Sequence, residues 1–190
     1  MNLQKSLQSL RNGGVLAIPT DTVYGLACLA SIPSAVEKIN TIKQREEQKH
    51  YVLQVATIEN AKALIHPDQH TILQNVSKYW PGEITFVFKI APHLSYAFLG
   101  STIAIRIPNH DITLSLLTTA NEPLVVTSLN RSGSPAILSV KEIPPDILSE
   151  IDGVISCDQS LSNIPSTIVD LSQSTTRVLR QGKIIFSLSL

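Results

Sequence analysis

Val15-Leu16-Ala17-Ile18-Pro19-Thr20-Asp21-Thr22-Val23-Tyr24-Gly25-Leu26 is the stretch from which the architecture can be read. Four apolar residues follow the helix-stopping pair Gly13-Gly14 and predict a short buried strand. Directly after it come two threonine hydroxyls, a carboxylate, a phenol and a glycine. Polar groups gathered at the carboxyl end of a buried strand suit a small polar ligand in an α/β protein. Taken alone, the segment also reads as an ordinary polar loop.

Working outward, Leu3, Leu7 and Leu10 share one face of an opening helix. Ser34 and Glu37 stand at capping-box spacing and predict a helix running through Ile39 and Ile42, with Lys43 and Arg45 near its C-terminal end. Residues 51–55 predict a strand, and 57–65 and 68–79 predict helices. Ile84-Thr85-Phe86-Val87-Phe88 alternates β-branched and aromatic side chains and reads as a strand. Ile103 to Ile107 is another, ended by Pro108; 111–119 is a helix and 124–127 a buried strand. Ser139 and Glu142 repeat the capping-box spacing before a short helix delayed by Pro144-Pro145. Residues 153–155, 167–170, 178–180 and 183–185 finish the chain as short strands. Roughly eight strands among about five helices predict an α/β (α+β) fold, a single twisted mixed sheet flanked by helices. The crowded C-terminal strands require some antiparallel pairing.

The chain has 190 residues, the length of one domain, with 43% hydrophobic and 16% charged residues, which excludes general disorder. Fifteen Lys and Arg balance fifteen Asp and Glu. A protein that coats nucleic acid should be basic, so affinity for phosphate here must come from local placement of cations. Cys28 and Cys157 are too few for a disulfide framework or a four-thiolate zinc site. No apolar run approaches the ~20 residues of a membrane span, and Met1-Asn2-Leu3-Gln4-Lys5-Ser6 opens a polar amphipathic stretch rather than a signal peptide. These features predict a soluble, cytoplasmic protein. Neither Gly-x-x-x-x-Gly-Lys-Ser/Thr nor Gly-x-Gly-x-x-Gly occurs. His66 and His70 are four apart, but Pro67 between them favours a helix boundary over a metal-binding face.

Four further segments depart from what packing alone asks for. Lys43-Gln44-Arg45 and Lys49 place three cations within seven residues, either a solvated run or a phosphate site. In Thr102-Ile103-Ala104-Ile105-Arg106-Ile107-Pro108, Arg106 interrupts an aliphatic strand and shares a face with Thr102 and Ala104. A guanidinium on a buried face needs a partner or a ligand carboxylate. Thr127-Ser128-Leu129-Asn130-Arg131-Ser132-Gly133 packs donors into a tight turn after a buried strand, a ligand cradle or a plain Ser/Asn/Gly turn. Pro165 to Asp170, with Arg180-Gln181-Gly182, adds a polar strand entrance and a cation. Six of the fifteen cations (Lys43, Arg45, Lys49, Arg106, Arg131 and Arg180) lie in or beside these segments, which predicts a local electropositive cleft for a polyanionic small molecule.

The order and spacing of these segments, together with Trp80-Pro81-Gly82-Glu83-Ile84-Thr85, closely resemble the YrdC family, the threonylcarbamoyl-AMP synthases called TsaC in bacteria. The likeness spans nearly the whole chain and implies one YrdC-like domain over residues 1–190, with a concave, electropositive face. It implies ATP-dependent synthesis of L-threonylcarbamoyladenylate from L-threonine, bicarbonate and ATP, with release of pyrophosphate. A threonylcarbamoyl transferase complex would then pass the group to tRNA. Carried over, Arg106 grips the threonine carboxylate, with Thr22 and Ser166 beside it. Lys43 and Arg45 are the catalytic cations and, with Arg180, hold the ATP phosphates; Thr102, Ser128 and Asn130 contact the nucleotide. Mg2+ is expected on the phosphates, bound mostly by substrate oxygens and water. Leu129 stands where the family usually has Ala and is expected to narrow the nucleotide pocket, while Arg131 adds a cation. An alternative in the same fold is a non-catalytic module binding double-stranded RNA or tRNA through phosphate contacts.

Overall fold

A computed structural model describes residues 1–44, 51–96, 98–157 and 161–187. In chain order the elements are α1 (Leu3–Arg11), β1 (Leu16–Ile18), β2 (Gly25–Leu29), α2 (Pro33–Lys43), β3 (Val52–Gln54), α3 (Ile58–Leu64), α4 (His70–Val76), β4 (Ile84–Lys89), β5 (Thr102–Arg106), α5 (Asp111–Ala120), β6 (Leu124–Ser128), α6 (Pro145–Glu150), β7 (Gly153–Val154), β8 (Thr167–Asp170) and β9 (Arg177–Arg180). The strands form one nine-stranded mixed sheet in the order β7-β1-β2-β6-β3-β5-β4-β8-β9. β8 and β9 are antiparallel, as the short C-terminal connections require.

The predicted elements reappear with four differences. β2 was hidden because Gly25 and Ala27 give it little strand character; it pairs with β1 as a hairpin. Gly25 is needed there, since a Cβ would lie 2.7 Å from Val126 Cγ1. Residues 183–185 form no strand. Residues 68–79 are not one helix: Pro67–Gln69 and Ser77–Tyr79 are 3-10 turns on either side of α4. The capping box at Ser34 is absent too. Pro33 takes the first helical position of α2 and Ile32 is the N-cap.

Residues paired across a ladder point to the same side of the sheet, so the registers sort the side chains into two faces. On one face Ala17, Leu26, Leu53, Phe86, Ile103 and Ile105 pack against Ile39 and Ile42 of α2, Leu64 of α3 and Leu73 of α4. On the other, Leu16, Ile18, Ala27, Leu124 and Val126 pack under Leu7 and Leu10 of α1 and Leu116 and Leu117 of α5. That second core draws its strands from β1, β2 and β6. Further along the same face the register brings up a mostly polar row. Gln54 is paired with Arg106, Thr85 with Ile168, and Ile168 with Arg180. Ile105 faces Phe86, so Arg106 and Thr85 are one step on in the same ladder.

Phe86 anchors the packed side of this half. It is fully buried, with the rings of Trp80 and Phe186 centred 5.3 and 5.7 Å away, both edge-on. Phe86→Ala is expected to lower unfolding stability by roughly 3–5 kcal/mol, read from urea denaturation midpoints.

Candidate functional site

The uncovered part of the sheet face is the floor of a cavity of about 360 Å3. Its walls are the β1–β2 loop (Thr20, Thr22, Val23, Tyr24), the turn after β6 (Ser128, Asn130, Ser134, Ala136), the Pro165-Ser166 segment and Arg180 of β9. Among the described residues two arginines line it and no carboxylate does.

Arg106 ends β5 and is only 4% exposed. Its Nε donates to the Gly82 carbonyl at 3.0 Å, one terminal nitrogen to Thr22 Oγ1 at 3.0 Å, and the other to Asp21 Oδ1 at 2.5 Å. Asp21 is thus the partner that burial of this charge requires, and its second oxygen accepts from the Asn109 backbone at 3.1 Å. The guanidinium still has N–H donors over for a ligand. Thr20 organises the loop: its hydroxyl donates to the Val23 carbonyl at 2.6 Å and accepts from the Thr22 and Val23 amides. This leaves Thr22 held between Thr20 and Arg106.

Across the cavity, Ser166 Oγ lies 2.9 Å from Thr85 Oγ1, and Arg180 donates to both the carbonyl and the hydroxyl of Ser166 at 2.9 and 3.2 Å. Gly182 makes this approach feasible, since a Cβ there would sit 2.3 Å from the Pro165 carbonyl oxygen. Among the described residues Arg180 has no ion-paired carboxylate. Desolvation of its guanidinium, and then the like charge of Arg106, hold its pKa below the ordinary arginine value. Two guanidiniums close enough to oppose one another favour an anion between them.

Other expected participants sit elsewhere. Lys43 is buried behind the β6 turn, its ammonium donating to the Ser128 carbonyl at 2.6 Å, the Asn130 carbonyl at 2.9 Å and Asn130 Oδ1 at 2.7 Å. It shapes the turn that presents Ser128 and Asn130, and it is not part of the cavity lining. Thr102 begins β5 at the opposite end from Arg106, ~13 Å along the strand, and is also outside the lining. Arg45 and Lys49 lie outside the described residues. Arg131 adds no charge to the cavity: it ion-pairs with Asp146 and Glu150 of α6 at 2.5 and 2.8 Å and donates to the Ile42 carbonyl. Its hydrogen bonds hold both carboxyl groups below their usual range. Leu129 is fully buried in the core and leaves the cavity unnarrowed. Cys28 is inert, with burial pushing its thiol up to about 12. His66 caps the turn at Pro67, and among the described residues no cluster of His, Cys, Asp or Glu is placed to hold a metal. No helix of the described residues is long and apolar enough to cross a membrane.

The family model for Sua5, YciO and YrdC proteins, described as telomere recombination, matches residues 8–182. The chain belongs to the Sua5/YciO/YrdC family. It is 30% identical over 185 residues to a threonylcarbamoyl-AMP synthase of Vibrio campbellii, covering 95% of this chain and 99% of that protein. Among solved structures it is similar to P. abyssi Sua5 complexed with L-threonine (28% identity, TM-score 0.85, 95% of this chain) and to E. coli YciO (27%, TM-score 0.86, 95% of this chain). It spans 54% of the P. abyssi chain and 89% of YciO.

Sequence reading gave no role to Thr85 or Gln54 of this Sua5/YciO/YrdC site, and it read Asp21 as a ligand group of the first polar loop, where the structure makes it the ion-pair partner of Arg106. The available signals for the first two were the hydroxyl inside β4 and the lone amide at the end of Val52-Leu53-Gln54. One further buried group lies next to the site. His110, the N-cap residue of α5, is 3% exposed and neither ring nitrogen has a partner. Burial lowers its pKa, against the opposing charges of Asp21 and Asp111. The folded chain therefore keeps His110 neutral while the unfolded chain takes up a proton below about pH 6.5. The group has no effect on stability above that pH and destabilises the fold as pH falls from ~6.5 toward the lowered folded value. Urea titrations at pH 7.5 and 5.5 are expected to show a smaller loss of stability in His110→Phe than in the wild type. Equal losses would place the acid sensitivity elsewhere.

Proposed function

We propose that the chain is an L-threonylcarbamoyladenylate synthase that consumes L-threonine, bicarbonate and ATP and releases pyrophosphate. The observation that carries this reading is the cavity itself, lined among the described residues by two arginines and paired hydroxyls and by no carboxylate, in a fold shared with a threonylcarbamoyl-AMP synthase and a threonine-bound relative. The remaining donors of Arg106 take the threonine carboxylate, flanked by Thr22 and Ser166. Arg180 takes phosphate charge. Ser128 and Asn130, held in shape by Lys43, meet the nucleotide, and Val52, Val126 and Ala136 supply apolar wall for the base. Arg45 remains assigned to phosphate by family likeness alone.

The chemistry fits such an arrangement. The threonine amine adds to the carbon of bicarbonate and the displaced oxygen leaves with two protons as water, giving a carbamate. A carbamate oxygen then attacks the α-phosphorus as the bond to the pyrophosphate oxygen breaks. The steps need orientation and cations around growing negative charge, and no protein nucleophile. Mg2+ would enter as part of the MgATP substrate, bound by phosphate and water; among the described residues no carboxylate lines the cavity. The product is a mixed anhydride, and its consumer is a transferase acting on a nucleophilic nitrogen, for which the transferase complex of tRNA modification is the natural candidate.

Purified protein given MgATP, threonine and bicarbonate is expected to form pyrophosphate and the carbamoyl adenylate in equal amounts, followed by mass spectrometry. Product formation that ignores threonine would overturn the assignment. Arg106→Ala is expected to weaken threonine binding about ten- to a hundredfold, from loss of a charge-assisted contact of roughly 1.5–3 kcal/mol. Lys43→Ala is expected to raise the KM for ATP more than that for threonine, because it loosens the nucleotide turn.

A further inference from the structure

Gln54 ends β3 in the cavity floor, is 3% exposed, and its side-chain oxygen is buried with no hydrogen-bond partner. An orphaned amide oxygen in a protein interior is costly, and it persists where a ligand completes it. Its place in the row is specific. Gln54 is the direct neighbour of Arg106 on one side, and on the other side of Arg106 the row runs through Thr85 and Ile168 to Arg180.

Resting on the synthase reading, this order sorts the substituents on the substrate's α-carbon. The carboxylate goes to Arg106. The nitrogen, which becomes the anionic carbamate, belongs on the side of Arg180. The side chain is left facing Gln54. We infer that Gln54 hydrogen-bonds the β-hydroxyl of the amino acid and is the residue that selects a hydroxylated side chain over an isosteric aliphatic one. An amide offers both a donor and an acceptor, as a hydroxyl does. On the other flank Gln54 is paired with Leu124, a fully buried apolar residue, which supplies no competing polar partner. A site whose buried polar group is left unpaired by the wrong substrate discriminates far more strongly than an apolar pocket does.

The test compares threonine with valine, which has a methyl in place of the hydroxyl. With MgATP and bicarbonate, the wild type is expected to favour threonine by a factor of at least ~100 in kcat/KM. Gln54→Met, close in volume, is expected to lower kcat/KM for threonine about ten- to a hundredfold while leaving that for valine within about threefold. Gln54→His, which keeps hydrogen-bonding capacity, is expected to retain more of the threonine preference than Gln54→Met. Equal losses for both amino acids, or a change confined to the KM for ATP, would overturn the inference. Calorimetric titration of threonine and of valine without ATP reads the same preference independently of catalysis. If threonine binding exceeds valine binding and Gln54→Met abolishes the difference, the selectivity role stands even where no adenylate is formed. If the wild type binds both alike, it fails.

Discussion

The site depends on how the chain accommodates a guanidinium inside its own sheet. Arg106 sits where an aliphatic residue would otherwise continue β5, and its charge is tolerated because Asp21, Thr22 and Gly82 all reach it. Those partners come from a loop some eighty residues away in sequence and from the turn before β4, so one buried ion pair locks the β1–β2 loop over the middle of the sheet. Such a pair contributes little net stability in itself, but removing either member strands the other. Its value lies in holding a cation rigidly with donors still available.

The second constraint is the unequal covering of the sheet. Three helices cover one face of its central strands, whereas the second core lies against β1, β2 and β6 under α1 and α5. The exposed remainder of that face is where side chains of β3, β5, β4, β8 and β9 are free to be polar. Fold and site thus arise from the same arithmetic of strands and helices. The family's members with known structures share the scaffold, and the chemistry belongs to the residues along one row.

Much of this was legible in the sequence because it rested on local signals. The apolar runs gave most of the strands, and the polar residues directly after two of them, with the polar entrance to β8, brought forward Thr22, Ser128 and Ser166, all three of which line the cavity. What stayed hidden was long-range. Nothing local to Lys43 tells whether its ammonium meets a phosphate or three oxygens of a turn reached across the fold. Arg131 looked like a cleft cation until α6 folded back to present Asp146 and Glu150. Gln54 carries no motif, and its position beside Arg106 exists only once β3 and β5 are in register.

β9 gives the cavity a mechanical character of its own. It is the last strand at one edge of the sheet, all four of its residues are exposed, and it is bonded to β8 alone. Edge strands with so little packing are the first to detach in native-state fluctuations. Arg180 rides on this strand, so the wall it forms is a clasp rather than a fixed post. A phosphate anion on Arg180 would tie this edge to the rest of the cavity, and part of its binding free energy would go into local order. Release of that anion would return the edge to its looser state.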